Sequence, residues 1–470
     1  MKKVLQALLL FTAMLASNVY AKDATLSMVY TNALGNELPF AIFSGKGWSP
    51  DSKARYVKVH MYFDEPVVIQ GLEIDSCGSR MDPNISVFFN FDQWVMHIDP
   101  SLSGEVPNSL HPVQKGNLLV LAGFDKKVEV RSLTFNFERS SGFRICGIHL
   151  KDPQGETYNI KTPSLAAGTV EASSTLPPQT AYDPIFLFDS RFEYGWASNK
   201  QAKNVSLDFK FDQPHRIEKI RIWNGYQRSV THCQANSRAK VVRLTGDNGY
   251  SEKITIRDIL GAQVITLTKP FTGKHLKFDV IDSFLGKSYK DLVISELRFF
   301  DGQEWFMLDP THKLQEGIEA NRNLFAKSIT SSLLNESFKG YFQNEGEYYP
   351  GVILRLRADG SFYIANAPDS DPPEYFALGN YEIKSADAKK GLRLRLFGLY
   401  YESDMYGDCN GCGRDCNKNM TSDDGSIQKI FQEFVAIKPA TPGKFTIVNE
   451  SGGKKLHFDK LFLSKEGIQP

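Results

Sequence analysis

The chain has little of what would declare an activity at sight. Its 470 residues include 9 His, 9 Met and 6 Cys, and no His-Glu-x-x-His, Gly-x-Ser-x-Gly or complete phosphate loop occurs. The triplet Gly286-Lys287-Ser288 imitates the end of a phosphate loop. The glycine needed five residues earlier is Ile281, so the triplet reads as a connection between strands. An excess of charge is missing too: 55 Lys and Arg against 54 Asp and Glu leave +1, which excludes a global field for nucleic acid or an anionic membrane. Beyond the N-terminus no run reaches the ~18 apolar residues of a spanning helix, so no transmembrane segment is expected. With 23% charged and 41% hydrophobic residues, disorder and collagen are excluded.

Glycine and aromatics are what the chain has. Its 36 Gly, 33 Phe and 19 Tyr suit pleated surfaces joined by tight turns. At the start, Met1-Lys2-Lys3, an apolar run from Leu8 to Leu15, and Val19-Tyr20-Ala21 have the three regions of a signal peptide. Cleavage is expected after Ala21, giving an exported chain that is periplasmic or secreted.

Cysteines in an exported chain favour disulfides. Cys409, Cys412 and Cys416 are spaced closely enough to sit on one metal ion but have no convincing fourth ligand nearby. The expected reading is a stapled surface loop, with a zinc site or free thiols as the competitors. Cys233 is either free or joined to the odd thiol of that cluster.

Laying the chain on itself exposes a duplication. Trp196 answers Trp48 at an offset of 148, and the same offset carries Val205, Phe211 and Pro214 onto Val57, Phe63 and Pro66. It continues through Ile217, Ile220 and Ile222 against Ile69, Leu72 and Ile74. Strict alternation puts Val205, Leu207, Phe209 and Phe211 on one face of a half-buried strand, and proline is expected to end that strand in both copies. Near the end of each copy the pattern returns as Arg144 to Ile148 and Val293 to Leu297. Many short strand-like runs and almost no helical periodicity argue for two tandem β-sandwiches of jelly-roll size, over 22–160 and 170–309.

Between the copies, Thr162 to Gly168 and Leu176-Pro177-Pro178 read as a linker. After the second copy, Ile318, Phe325, Ile329 and Leu333 keep helical spacing within a connecting segment over 310–337. The remainder, 338–470, alternates through Val352 to Ile364 with Asp359-Gly360 at a hairpin turn, then through Tyr381, Leu392 to Leu396, Ile430 to Val435 and Lys444 to Val448. That meander predicts a small lipocalin-like barrel, so the fold class is all-β.

In the second copy, Ala172 to Leu176, Leu187-Phe188-Asp189, Trp196, Ile222 to Tyr226, Asn236-Ser237-Arg238-Ala239-Lys240 and Tyr289 to Leu297 follow in fixed order. This stretch resembles the discoidin-like glycan-binding domain found beside streptococcal NAD glycohydrolase as its translocation module, and in many bacterial exported proteins. No part of the chain resembles the NAD-cleaving domain. The resemblance implies a galactose-binding-like jelly roll that takes carbohydrate through loops at one end. A sugar offers an apolar ring face rimmed by hydroxyls, which an aromatic side chain and polar neighbours complement. The candidate glycan-binding residues are Trp196 or Tyr226 as the stacking surface, with Asn224, Asn236 and Arg238 as polar contacts. The competing reading makes Trp196 core and has Asn224 satisfying turn amides.

Related lectins often hold a structural calcium ion, and by resemblance Asp189 and Glu296 are its candidate oxygen donors. The competing reading pairs Glu296 with a nearby Arg or Lys. No cofactor is required. His215, His232 and His275 lack ligand spacing and read as surface or loop residues.

The first copy departs from the pattern where function would sit. Ser76-Cys77-Gly78 replaces Asn224-Gly225-Tyr226, and no Asn-x-Arg-x-Lys follows. Cys77 and Cys146 fall on elements that are neighbours in the second copy's order, so they are expected to bond to each other. This copy then becomes a divergent structural or protein-binding module. Function is expected to be non-catalytic glycan recognition. The alternatives are a lipid or small-molecule carrier, or an unrecognised hydrolase, acting through the barrel, and a purely structural envelope protein.

Overall fold

The computed structural model describes residues 22–31, 38–50, 56–78, 85–90, 111–122, 124, 126–138, 143–192, 194–327, 334, 337–344, 347–366, 375–402, 427–441, 444–452 and 460–464. The expectations for residues 1–21, for Ile329 and Leu333, and for Cys409, Cys412 and Cys416 fall outside these residues.

The first sandwich is built from β1 (Asp23–Thr31), β2 (Tyr56–Ile69), β3 (Gly71–Asp75), β4 (Ile85–Phe89), β5 (His111–Lys115), β6 (Leu118–Ala122), β7 (Val128–Glu138), β8 (Gly147–Lys151) and β9 (Asn159–Lys161). One sheet runs β4-β7-β2-β1-β9 and the other β5-β6-β3-β8. The second sandwich contains β10 (Ser164–Ala166), β11 (Gly168–Ala172), β12 (Trp196–Ala197), β13 (Val205–Asn224), β14 (Arg238–Gly246), β15 (Ser251–Thr255), β16 (Ala262–Phe284), β17 (Val293–Phe300) and β18 (Trp305–Leu308). Its long β13 changes neighbour along its length: β11 flanks Leu207 to Phe211, and β17 flanks Lys219 to Asn224.

The duplication is physical. Trp48 and Trp196 are both 0% exposed and sit beside equivalent strands, Trp48 bridged to Ile145 and Trp196 paired with Ile294. Val57, Val59, Met61 and Phe63 turn inward, as do Val205, Leu207, Phe209 and Phe211, so period-two alternation fills both cores.

Proline does not end the strands. Both β2 and β13 continue past it, and the ladder slips instead: Tyr62 pairs with Ser132 and Val67 next with Val130, while Lys210 pairs with His275 and His215 next with Gly273. Proline has no N–H to donate, so the ladder bulges around it and resumes. The expected linker is also part of the fold. Ser164 to Ala166 pair in parallel with β18, and Gly168 to Ala172 pair with β13. A side chain at Gly168 would put its Cβ 2.3 Å from the Lys210 carbonyl oxygen, so that strand can lie this close only with glycine there.

The two sandwiches meet where Met28 and Tyr62 pack against Phe192 and Trp223, and Arg221 pairs with Asp64 across the joint. Cys77 and Cys146 form the expected disulfide. Among the described residues Cys233 is the free cysteine and is buried, with its thiol pushed up to about 11 by that burial.

The last unit is a closed barrel of β19 (Ser337–Asn344), β20 (Glu347–Leu356), β21 (Ser361–Asn366), β22 (Tyr375–Asp387), β23 (Gly391–Glu402), β24 (Ile427–Thr441), β25 (Lys444–Asn449) and β26 (Lys460–Ser464). Each strand pairs with the next, and β26 closes on β19, the up-and-down order expected of a lipocalin-like meander. The Asp359-Gly360 hairpin turn forms as expected, with Gly360 at φ +90°. Leu354, Phe362, Leu394, Phe431, Val435 and Ile447 belong to one interior apolar cluster.

The expected helix forms over Thr311–Ala326. Its Phe325 joins the barrel cluster 5.9 Å from the Tyr381 ring, and Asn321 Nδ2 donates to the Ala358 carbonyl at 2.8 Å. No helix among the described residues is long and apolar enough to cross a membrane.

The disulfide closes a loop across a sequence separation of 69. Opening it by Cys77→Ser with Cys146→Ser should cost the first sandwich about 2–4 kcal/mol, seen as a lower urea midpoint that reductant does not lower further.

Candidate functional site

At the end of β13 the chain turns through Gly225, at φ +89°, where a Cβ would lie 2.8 Å from Arg238 Cγ. The turn delivers Tyr226, Gln227 and Arg228. Ser229 then caps a short helix, α2 (Val230–Ala235), accepting from the His232 amide, after α1 (Gln179–Tyr182) earlier in the chain. Gln227 locks the turn: its amide donates to Ser295 Oγ at 2.8 Å, and its Nε2 donates to the Asn224 carbonyl at 2.7 Å.

The sequence-predicted residues divide here. Trp196 cannot offer a stacking face, because it is fully buried and its Nε1 donates to the Ser174 carbonyl at 3.0 Å. Asn224 is likewise interior: its Nδ2 donates to the Ala239 carbonyl at 2.8 Å and its Oδ1 accepts from the Ala239 amide at 3.0 Å. It ties β13 to β14 through Ala239, and so is a core residue but not one satisfying turn amides as the competing reading held. Arg238 is held by Asp258 at 2.6 and 2.9 Å, and donates to the carbonyls of Cys233 and Asn236. Asn236, extended directly after α2, lines a cleft, whereas Arg238 at the start of β14 does not.

Tyr226 and Asn236 do come together, on one cleft of about 460 Å³ between the second sandwich and the barrel. The ring of Tyr226 lies 6.3 Å from Tyr182 and 5.0 Å from His232, with the Arg228 guanidinium 4.7 Å over it. Asn236 Nδ2 donates to the His232 carbonyl at 2.8 Å. His232 is buried, not the surface or loop residue expected from sequence. Burial and the neighbouring Arg228 charge hold its imidazole neutral, well below the usual histidine range.

The other side of the cleft comes from the barrel, through Arg395, Phe397 and Gln432. At the mouth stand Asp291 and Tyr289, the latter 42% exposed. Burial raises the Asp291 carboxyl. Sequence reasoning quoted Tyr289 and Asp291 only as a shared motif. It missed Tyr182, Arg228 and the barrel residues, for which no local pattern signals the juxtaposition. Tyr226, Arg228 and His232 are nearly as buried as Trp196, at 3%, 1% and 3% exposed, so the exposed aromatic ring on the cleft is that of Tyr289.

Asp189 and Glu296 also come together, but as part of a buried ion cluster. Arg298 Nη1 lies 2.9 Å from Glu296 Oε2, both side chains 0% exposed, and Arg298 Nη2 donates to Ser190 Oγ at 2.8 Å. The Arg191 amide donates to Asp189 Oδ1 at 2.9 Å and to Glu296 Oε1 at 2.8 Å. Calcium takes six to eight oxygen ligands. Here a guanidinium already faces Glu296, and among the described residues no group of three or more His, Cys, Asp or Glu could hold an ion. Glu296 is thus committed to Arg298, the pairing the competing reading held. Burial and the Glu296 charge push the Asp189 carboxyl well above its usual range.

These environments set two outcomes. A carboxyl whose folded value is raised holds its proton more tightly than in the unfolded chain, so Asp189 costs stability once the pH rises above ~4. Asp189→Asn should leave the melting temperature at pH 7 unchanged or raise it, and a chelator should leave both proteins alike. His232 runs the other way, because the unfolded imidazole takes a proton below pH ~6.5 and the buried one does not. Stability should therefore be full above that pH and fall below it by up to about 1.4 kcal/mol per unit. In urea titrations at pH 5 to 8, His232→Gln should flatten that slope.

The comparisons with known proteins bear on this part of the chain. No curated protein matches the chain in sequence. Among solved structures, the family 32 carbohydrate-binding module of C. perfringens NanJ, in complex with galactose, is 18% identical over 28% of this chain and 92% of that one, with a TM-score of 0.23. The family 32 module of Streptococcus pneumoniae EndoD is 16% identical over 29% and 97%, with a TM-score of 0.23. A fucolectin from the serum of striped bass, Morone saxatilis, is 13% identical over 60% and 96%, with a TM-score of 0.21. At the level of sequence families, residues 162–300 match the NAD glycohydrolase translocation F5/8 type C domain, so the second sandwich, with β10 and β11 included, is a domain of the discoidin-like kind.

Proposed function

We propose that this chain is an exported, non-catalytic carbohydrate-binding protein that takes its glycan in the cleft beside Tyr226. The family match over residues 162–300 supports a recognition role for the second sandwich. The signal-like N-terminus and the Cys77 to Cys146 bond favour an oxidising compartment outside the cytoplasm.

The observation that carries the reading is the cleft itself. Tyr289 stands at its mouth, 42% exposed, with Tyr182 and Tyr226 behind it and Arg228, His232, Asn236 and Asp291 around them. A pyranose ring can lay its C–H face on a tyrosine while its hydroxyls meet amide, imidazole, guanidinium and carboxylate groups. With His232 Nδ1 held by Ser229 Oγ at 2.9 Å, the imidazole has its Nε2 left for a hydroxyl. Nothing in such an arrangement requires bond cleavage. The ligand is held and released by stacking and hydrogen bonds.

The test is a glycan array that includes galactose, N-acetylgalactosamine, fucose and pectin fragments, probed with residues 22–470. Tyr289→Ala should weaken binding about tenfold, roughly 1.4 kcal/mol, with an unchanged melting curve, since its side chain is exposed. Tyr182→Ala should weaken it further. Absence of binding by the wild type to every glycan would sink the assignment.

A further inference from the structure

We infer that the barrel supplies the second wall of the ligand site, so that a saccharide is gripped between Tyr289 of the sandwich and Arg395 and Gln432 of the barrel, over a floor of Tyr182, Tyr226 and Phe397. This rests on the carbohydrate reading of the cleft and goes beyond it, by assigning ligand contacts to a unit outside the matched residues 162–300.

Along β23 the side chains of Leu392, Leu394 and Leu396 turn into the barrel interior. Phe397 therefore points outward, where a barrel strand ordinarily meets water. It is nonetheless buried, its ring 6.1 Å from Tyr182, which is itself 6.3 Å from Tyr226. The aromatic floor of the cleft thus runs without interruption from one unit to the other.

Arg395, two residues back on the same outward face, lays its guanidinium 4.9 Å over the Phe397 ring and is steadied by Glu382 at 2.8 Å. Gln432 lies directly across the ladder from Phe397 on β24, with its side chain exposed. The barrel side thus repeats the sandwich side: a guanidinium laid over an aromatic ring beside an amide, Arg395 on Phe397 with Gln432 as Arg228 lies on Tyr226 with Asn236.

The spacing of the walls is fixed by polar contacts on both sides of the floor. Arg228 donates to Asn380 Oδ1, Arg191 pairs with Asp359, and the Tyr194 hydroxyl donates to the Asp359 carbonyl at 2.7 Å. Two walls held at a set distance select a ligand by thickness as well as by its hydroxyl pattern, which one loop surface cannot do.

The experiment uses the full mature chain and, as free oligosaccharide, the array glycan with the strongest signal. Calorimetric titrations compare wild type with Gln432→Trp, Arg395→Gln and Tyr289→Ala. Gln432→Trp places a bulky ring at an exposed position on the cleft and tests the wall without touching the core. The expected result is a loss of affinity of tenfold or more for Gln432→Trp and Arg395→Gln, at an unchanged melting temperature for Gln432→Trp. Affinity within twofold of wild type for both barrel variants, with a loss confined to Tyr289→Ala, would overturn the second wall and leave a one-walled carbohydrate site. No binding by wild type would overturn both.

Discussion

A line of buried charges decides how this molecule is put together. Arg298 reaches the Leu187 carbonyl, Ser190 and Glu296; Glu296 accepts from the Arg191 amide; and the Arg191 side chain leaves the sandwich to pair with Asp359 in the barrel hairpin. Taking such groups out of water is costly, and breaking one partnership strands the other charge. Alternative dockings of the barrel would strand Asp359 or Arg191, so the cluster selects one orientation more than it adds net stability. The cleft between the units inherits its width from that selection. The Asp359 carboxyl is held below its usual range by Arg191 and Arg357 in spite of its burial, so this link stays ionised at neutral pH.

Much of the fold was legible because it depends on short-range rules. Alternation of Val205, Leu207, Phe209 and Phe211 predicts a half-buried strand, and the offset of 148 transfers that prediction to the first copy. The Asp359-Gly360 turn and the Ile318 and Phe325 spacing are equally local signals. What sequence missed is non-local or ambiguous. Proline at 66 and 214 reads as a stop, yet the strands have enough partners on either side to bulge and go on. Trp196 and Asn224 carry the chemistry of a sugar site, but a Trp with a carbonyl partner and an Asn clamping Ala239 are equally at home in a core. Arg395 and Phe397 lie over 150 residues from Tyr226 in the chain, and no pattern in either segment names the other.

The two copies show how one turn can be kept while its use changes. Gly225 and Cys77 occupy the same place and both take left-handed backbone, at φ +89° and +55°. In the second copy the glycine leaves room for Arg238 and Cys233, and the turn presents Tyr226 and Arg228 to the cleft. In the first, the cysteine ties the turn to Cys146 beside β8. A covalent bond stands where the second copy has a hydrogen-bonded loop and helix.

Closure of the barrel by β26 on β19 has a consequence in time. The first barrel strand, Ser337–Asn344, waits for Lys460–Ser464 before its edge is covered, and the sandwiches close over comparable stretches of chain, Asp23 on Asn159 and Ser164 on Phe306. Non-local pairings of this length form late. In each of the three units, therefore, the first strand waits for the last, and the unit is complete only when its final strand is made.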